Sequence, residues 1–130
     1  MKRAILLIMI FLAFTTASQC QHRSLKDSVF AYICQINILH PNIVMRQAIL
    51  ETGWFRSPYL MKKNNLFGFR NKQYLTFNDW KASIDYYKKW QSRRYKNHQE
   101  DYYHFLVRIK YAAKGYVNNL KRVNFTENCK

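Results

Sequence analysis

The sequence predicts a single mostly-α domain of the α+β type, with about five helices and one small β-hairpin lobe. Three observations carry this reading. Five stretches repeat apolar residues at helical spacing, each bounded by start or stop residues. One pair of short runs, Leu66–Phe69 and Tyr74–Phe77, flanks Arg70-Asn71-Lys72-Gln73 and reads as a hairpin. Finally, 3 Gly and 2 Pro in 130 residues are too few for the turns of an all-β sandwich.

The elements follow in order. Ser24-Leu25-Lys26-Asp27 opens the first helix as a capping box with Asp in place of Glu. Val29, Ile33, Ile36 and Leu39 continue it at helical spacing, and His40-Pro41 ends it. Pro41 suits the first turn of a second helix, which Gly53 terminates. That helix is apolar nearly all round, so it is expected at the centre of the domain. Ser57–Lys63 reads as a short helical turn, and Asn64-Asn65 as a turn before the hairpin. Asn78 is placed as the cap of a long helix reaching about Tyr95, with Trp80, Ile84, Tyr87 and Trp90/Gln91 on one face. Asp101–Ile109 and Gly115–Val123 complete the set.

Composition narrows the possible functions. The 22 Lys+Arg stand against 7 Asp+Glu, for a net charge of +15. Such a chain is drawn to polyanions: nucleic acid, anionic lipid or an anionic wall polymer. With 48% hydrophobic and 17% aromatic residues, wholesale disorder is excluded. Residues 1–19 read as an export signal, with Lys2 and Arg3 before the apolar run Ala4–Phe14 and small residues at Thr15–Ser18, so cleavage is expected near 17–20. The remaining domain is 20–130. An exported, periplasmic or secreted location follows; the alternative is a lipoprotein lipidated at Cys20 and tethered to a bacterial membrane. An exported chain can keep disulfides. Cys34 with Cys129 would tie the first helix to the C-terminus, leaving Cys20 over. The Cys and His residues show no ligand spacing, so neither a metal nor a cofactor is expected.

Seven carboxylates make a short roster of candidate acids. Asp27 serves a cap, and Asp79 sits where a helix start favours negative charge. Asp85 stands at pairing distance from Lys88 and Lys89. Glu100 and Asp101 precede a helix, and Glu127 is in the tail. Glu51 lacks such a role: it follows Ala48-Ile49-Leu50 in the last turn of the apolar helix, beside Trp54. Apolar surroundings oppose ionisation. A carboxyl held protonated is what a general acid at a glycosidic oxygen requires, although pairing with one of the many cations is the competing explanation.

Gln47-Ala48-Ile49-Leu50-Glu51-Thr52-Gly53-Trp54 resembles the Q-A-x-L-E-[ST]-G-[WH] core of the β-N-acetylglucosaminidase domains of glycoside hydrolase family 73. Ser57 through Asn64-Asn65-Leu66-Phe67-Gly68 resembles that family's S…NNLFG element, and Tyr74–Tyr87 its following aromatic segment. Together with the tyrosines from Asp101 to Leu120, the likeness covers about Ile36–Val123, and is greatest to short exported members of Bacteroides-type bacteria. The resemblance implies a lysozyme-like fold with a saccharide groove, and cleavage of the β-1,4 bond after N-acetylglucosamine in peptidoglycan. Carried over residue by residue, it implies Glu51 as general acid and Tyr111 as an assisting residue. Asn65, Leu66, Phe67 and Gly68 would shape the groove, Gln47 would contact substrate, and Trp54 and Tyr59 would stack on sugar. The family's Y-A-x-D-P-x-Y appears here as Tyr111-Ala112-Ala113-Lys114-Gly115-Tyr116, lacking Asp and Pro and one residue shorter.

The hairpin carries no carboxylate to serve as base or nucleophile, so the expectation is that the substrate's own acetamido group attacks. The alternative function is a catalytically weak or inactive lysozyme-like wall-binding protein. A nucleic-acid surface at Tyr86–Tyr95, with Lys88, Lys89, Arg93 and Arg94, conflicts with the export leader and matches no recognised motif. A membrane-active cationic protein is a further rival. The expected partners are peptidoglycan glycan strands and not nucleic acid, bound by a monomer.

Overall fold

A computed structural model describes residues 23–130. Residues 1–22, on which the expected export signal and Cys20 fall, lie outside the described residues. Six helices follow one another: α1 Leu25–Gln35, α2 Pro41–Thr52, α3 Pro58–Lys62, α4 Trp80–Arg94, α5 Tyr102–Arg108 and α6 Tyr116–Arg122. α2 packs against α1 and α6, α1 also meets α4, and α5 meets α6. Among the described residues, no helix is long and apolar enough to cross a membrane.

α2 lies at the centre because most of its circumference is apolar. Val44, Met45, Ala48 and Ile49 are buried in one cluster with Val29 and Ile33 of α1, Ile84 and Tyr87 of α4, Phe105 and Leu106 of α5, and Leu120 of α6. Start signals behave as the sequence indicates. Ser24 Oγ accepts the Asp27 N–H at 3.1 Å, and Ser57 caps α3. Pro41 occupies the first turn of α2, and Gly53 closes that helix in the left-handed region at φ 56°.

Four expectations are corrected. The first helix stops at Gln35 and does not continue through Leu39. Asn37 turns left-handed (φ 54°), and both backbone groups of Leu39 bond the side-chain amide of Gln91, at 3.0 and 2.9 Å. Ile38 is buried there while Leu39 stays exposed. Asp79, not Asn78, caps α4, accepting the Ala82 N–H at 2.8 Å. Asp85 makes no ion pair with Lys88 or Lys89; it accepts the Tyr32 hydroxyl at 2.9 Å. The hairpin shrinks to one antiparallel bridge, Arg70 with Tyr74. Gly68 breaks the first run by adopting φ 65°. The buried Asn65 amide donates to the carbonyls of Phe69 and Leu75, at 2.8 and 3.0 Å, in place of a longer ladder.

Cys34 of α1 and Cys129 form a disulfide across a sequence separation of 95. The tail it anchors is held by more than sulfur. Phe125 is buried edge-on to Phe30, with ring centroids 4.8 Å apart. Arg46 of α2 donates to the Phe125 carbonyl through Nε (3.1 Å) and to the Tyr103 hydroxyl through a terminal nitrogen (2.8 Å).

A cross-link closing so long a loop removes conformational freedom from the unfolded chain. The Cys34→Ser/Cys129→Ser double variant is therefore expected to lose about 2–4 kcal/mol of stability in urea melts. Wild type with reductant should match it, because the tail's remaining contacts are the same in both.

Candidate active site

Glu51 occupies the last turn of α2, and the chain beyond it is tightly fixed. Buried Thr52 donates its hydroxyl to the Ala48 carbonyl at 2.6 Å and accepts the Phe55 N–H at 2.9 Å. Gly53, Trp54 and Phe55 all adopt positive φ, at 56°, 60° and 60°. Only the first comes without steric cost, and a bulky residue in that region signals strain held by its surroundings. This hairpin bend fixes where α2 stops, and so where the Glu51 carboxyl stands.

Opposite it, the segment after α3 is pinned by two asparagines. Asn64, at φ 52°, donates to the carbonyls of Phe77 and Asn78. Asn65 holds the turn from Phe69 to Leu75 and accepts the Phe69 N–H at 3.0 Å. Together they press Gly68 against the acid. A Cβ added at Gly68 would lie 3.0 Å from Glu51 Oε2. This position requires glycine twice over, for its φ of 65° and for the close approach.

A cavity of about 650 Å³ opens at this point. Glu51 and Gly68 lie in it, with Arg70 and Tyr74 from the turn, Trp90 and Arg94 from α4, and Tyr111 from the α5–α6 loop. Half-buried Glu51 has its carboxyl pushed above the ordinary Glu value by loss of water; the Tyr116 hydroxyl acts in the opposite sense and offsets part of this. Among the described residues Glu51 makes no ion pair, and no other carboxylate lines the cavity. Burial and the Glu51 charge hold the Tyr111 phenol well above its ordinary value, and burial does the same to Tyr116. Both phenols therefore stay protonated and act as neutral donors. Tyr111 donates to the Phe67 carbonyl at 3.4 Å and packs edge-on to Trp90.

Beneath the cavity runs a line of buried polar groups. Gln47 Oε1 accepts the Tyr87 hydroxyl at 2.5 Å, Tyr87 and Tyr102 share a bond of 2.6 Å, and Gln91 Nε2 donates to Tyr102 at 3.0 Å. The line ends near Glu51, where Gln47 Nε2 and the Tyr116 hydroxyl are both buried without a closed hydrogen bond.

The structure brings Glu51, Phe67, Gly68 and Tyr111 to one cavity. Gln47, Asn65 and Leu66 are each 0% exposed and do not line the cavity. Trp54 and Tyr59 are exposed but do not line the cavity; Tyr59 meets its rim through Tyr74, with ring centroids 5.7 Å apart. Arg70, Tyr74, Trp90, Arg94 and Tyr116 were not singled out as site residues from sequence. The available signals were the positions of Tyr74 at the start of the aromatic segment and of Tyr116 in the altered tyrosine element. Among the described residues no three His, Cys, Asp or Glu side chains gather to hold a metal.

The sequence profile of the glucosaminidase family, described as mannosyl-glycoprotein endo-beta-N-acetylglucosaminidase, matches residues 24–127. No curated protein and no solved structure matches the chain.

Two outcomes follow from the geometry. Carboxyl-carbon NMR should place the Glu51 midpoint above the ordinary Glu range. Between the unfolded and the raised folded value the native state binds more protons than the unfolded state, so stability falls as pH rises through that window. Glu51→Gln carries no such loss and should be the more stable protein at neutral pH in parallel melts. Gly68→Ala should cost about 1–2 kcal/mol from left-handed backbone alone, measured by urea unfolding, and more if the Glu51 side chain cannot move aside.

Proposed function

The chain belongs to the glucosaminidase family, a family of glycoside hydrolases, and from that premise we propose that it is an exported peptidoglycan hydrolase cutting the β-1,4 bond after N-acetylglucosamine. The observation that carries the reading is a single carboxyl, raised by burial and unpaired, lining the Glu51 cavity. Such a group keeps its proton to a higher pH than an exposed glutamate and can deliver it to a leaving oxygen.

In this reading Glu51 protonates the glycosidic oxygen as the bond to C1 breaks. With no second carboxylate lining the cavity, the acetamido oxygen of the same sugar attacks C1 and forms a cyclic oxazolinium intermediate. Water then opens that ring, and the Glu51 carboxylate takes the proton that water releases. Tyr111 and Tyr116 stay neutral and orient the acid and the reacting sugar by hydrogen bonding. Phe67 and Gly68 shape the floor. Trp54 and Tyr59 extend contact along the strand outside the cavity. Residues 1–19 act as the leader, and the Cys34–Cys129 bridge suits an oxidising compartment outside the cytoplasm.

A second reading, a glycan-binding protein with little or no turnover, draws on one observation: Glu51 has no carboxylate facing it across the cavity. One digest separates the two. Wild type incubated with purified sacculi should generate new reducing ends on N-acetylglucosamine, identified by mass spectrometry after borohydride reduction. Glu51→Gln should lower the rate by about 10²–10⁴-fold, the usual contribution of a general acid. Full activity in that variant would remove Glu51 from the mechanism, and binding without any new ends from wild type would favour the second reading.

A further inference from the structure

The Glu51 cavity is lined by two cations that no ion pair among the described residues neutralises. Arg70 stands on the turn and Arg94 in the last turn of α4, and both line the cavity. Among the described residues neither makes an ion pair, and Glu51 pairs with neither. The remaining acids are engaged elsewhere. Asp79 and Asp101 cap helices, and Asp85 accepts from Tyr32. Asp27 and Glu127 meet Lys26, and Glu100 is held by Arg108 and His104.

Neither arginine's position is accounted for by local structure alone. A cation at the end of α4 complements the helix dipole, but Arg93 in the same turn meets that end without lining the cavity. Arg70 leaves the backbone at the single bridge to Tyr74, its guanidinium 5.8 Å from the Tyr74 ring centroid. The turn that carries it is pinned by the buried Asn65, so the fork starts from a fixed base. Guanidinium groups bind carboxylates in a two-pronged, directional manner that ammonium groups do not match. Two of them, from separate elements, beside an acid they do not touch, make a receptor for negative charge next to the reacting centre.

We propose that Arg70 and Arg94 form a subsite for a carboxylate carried by the glycan, so that the cavity selects acidic strands over neutral N-acetylglucosamine polymers. This rests on the reading of the cavity as a glycan site. The carboxylate has two sources of the same chemistry: an acid on the sugar itself, or one on a peptide attached to it.

The test uses binding rather than turnover. Glu51→Gln protein is titrated by calorimetry with three ligands of equal length. They are a neutral N-acetylglucosamine oligosaccharide, a peptide-free strand with free sugar carboxylates, and a strand bearing its peptides. Each acidic ligand is also tested after its carboxylates are converted to amides. At least one acidic strand is expected to bind about tenfold more tightly than the neutral one, and which one identifies the source. Amidation, which leaves the protein untouched, should abolish the preference. Adding Arg70→Gln or Arg94→Gln should cut the ratio of affinities several-fold. Arg122→Gln, which removes the same charge from α6 away from the cavity, should keep it. Equal affinity for neutral and acidic strands, or a preference that survives both arginine substitutions, overturns the proposal. A wild-type protein that binds acidic strands selectively but cuts nothing would refute the hydrolase reading and leave this one standing.

Discussion

A carboxyl group that holds its proton to a higher pH than an exposed glutamate must be shielded from water, free of ion pairs, and surrounded by groups that do not themselves ionise. In a chain carrying 22 Lys+Arg, the second condition is the demanding one. It is met by placing Glu51 on the most apolar helix and closing the other side with backbone at Gly68, where no side chain intervenes. The third condition is met by Tyr111 and Tyr116, neighbouring phenols that burial keeps neutral. The strained residues Trp54 and Phe55, the asparagine-pinned turn and the ending of α2 at Gly53 all serve this one local environment.

The same environment is connected to the packing of the whole domain. α2, α4 and α5 are joined not only by apolar contact but by the line Gln47–Tyr87–Tyr102–Gln91, which also fixes the Leu39 backbone after α1. Buried polar groups are costly when unpaired and specifying when paired. A slip of α4 along α2 would break several of these bonds together, whereas an all-apolar interface would tolerate a sliding repack. The line ends beside the acid with two buried donors left open, Gln47 Nε2 and the Tyr116 hydroxyl. The register of the helices and the placement of the Glu51 carboxyl are therefore one constraint.

Much of this was legible in the order of residues. Glu51 stood out because the other six acids each had a local explanation, and among the described residues it forms no ion pair. Helix starts at Ser24, Pro41 and Ser57 were readable because a cap needs only nearby residues. What was missed depends on distant ones. Leu39 leaves the helix because Gln91, on a later helix, takes its backbone groups. The hairpin was overread because alternation cannot reveal that a buried Asn65 will claim the carbonyls of Phe69 and Leu75. The burial of Gln47 was not legible, because motif membership marks a residue as needed without saying which side of the surface it faces. Arg70 and Arg94 were inconspicuous among so many cations until the fold placed them on one cavity.

The bridge from Cys34 to Cys129 encloses every residue of that cavity, from Glu51 to Ala113. A protease that cuts the backbone once anywhere between those cysteines yields two pieces that remain one covalent body. Their ends stay at high local concentration and can re-dock instead of diffusing apart. A first nick is then survivable damage, and loss of the site requires either a second cut or a reductant.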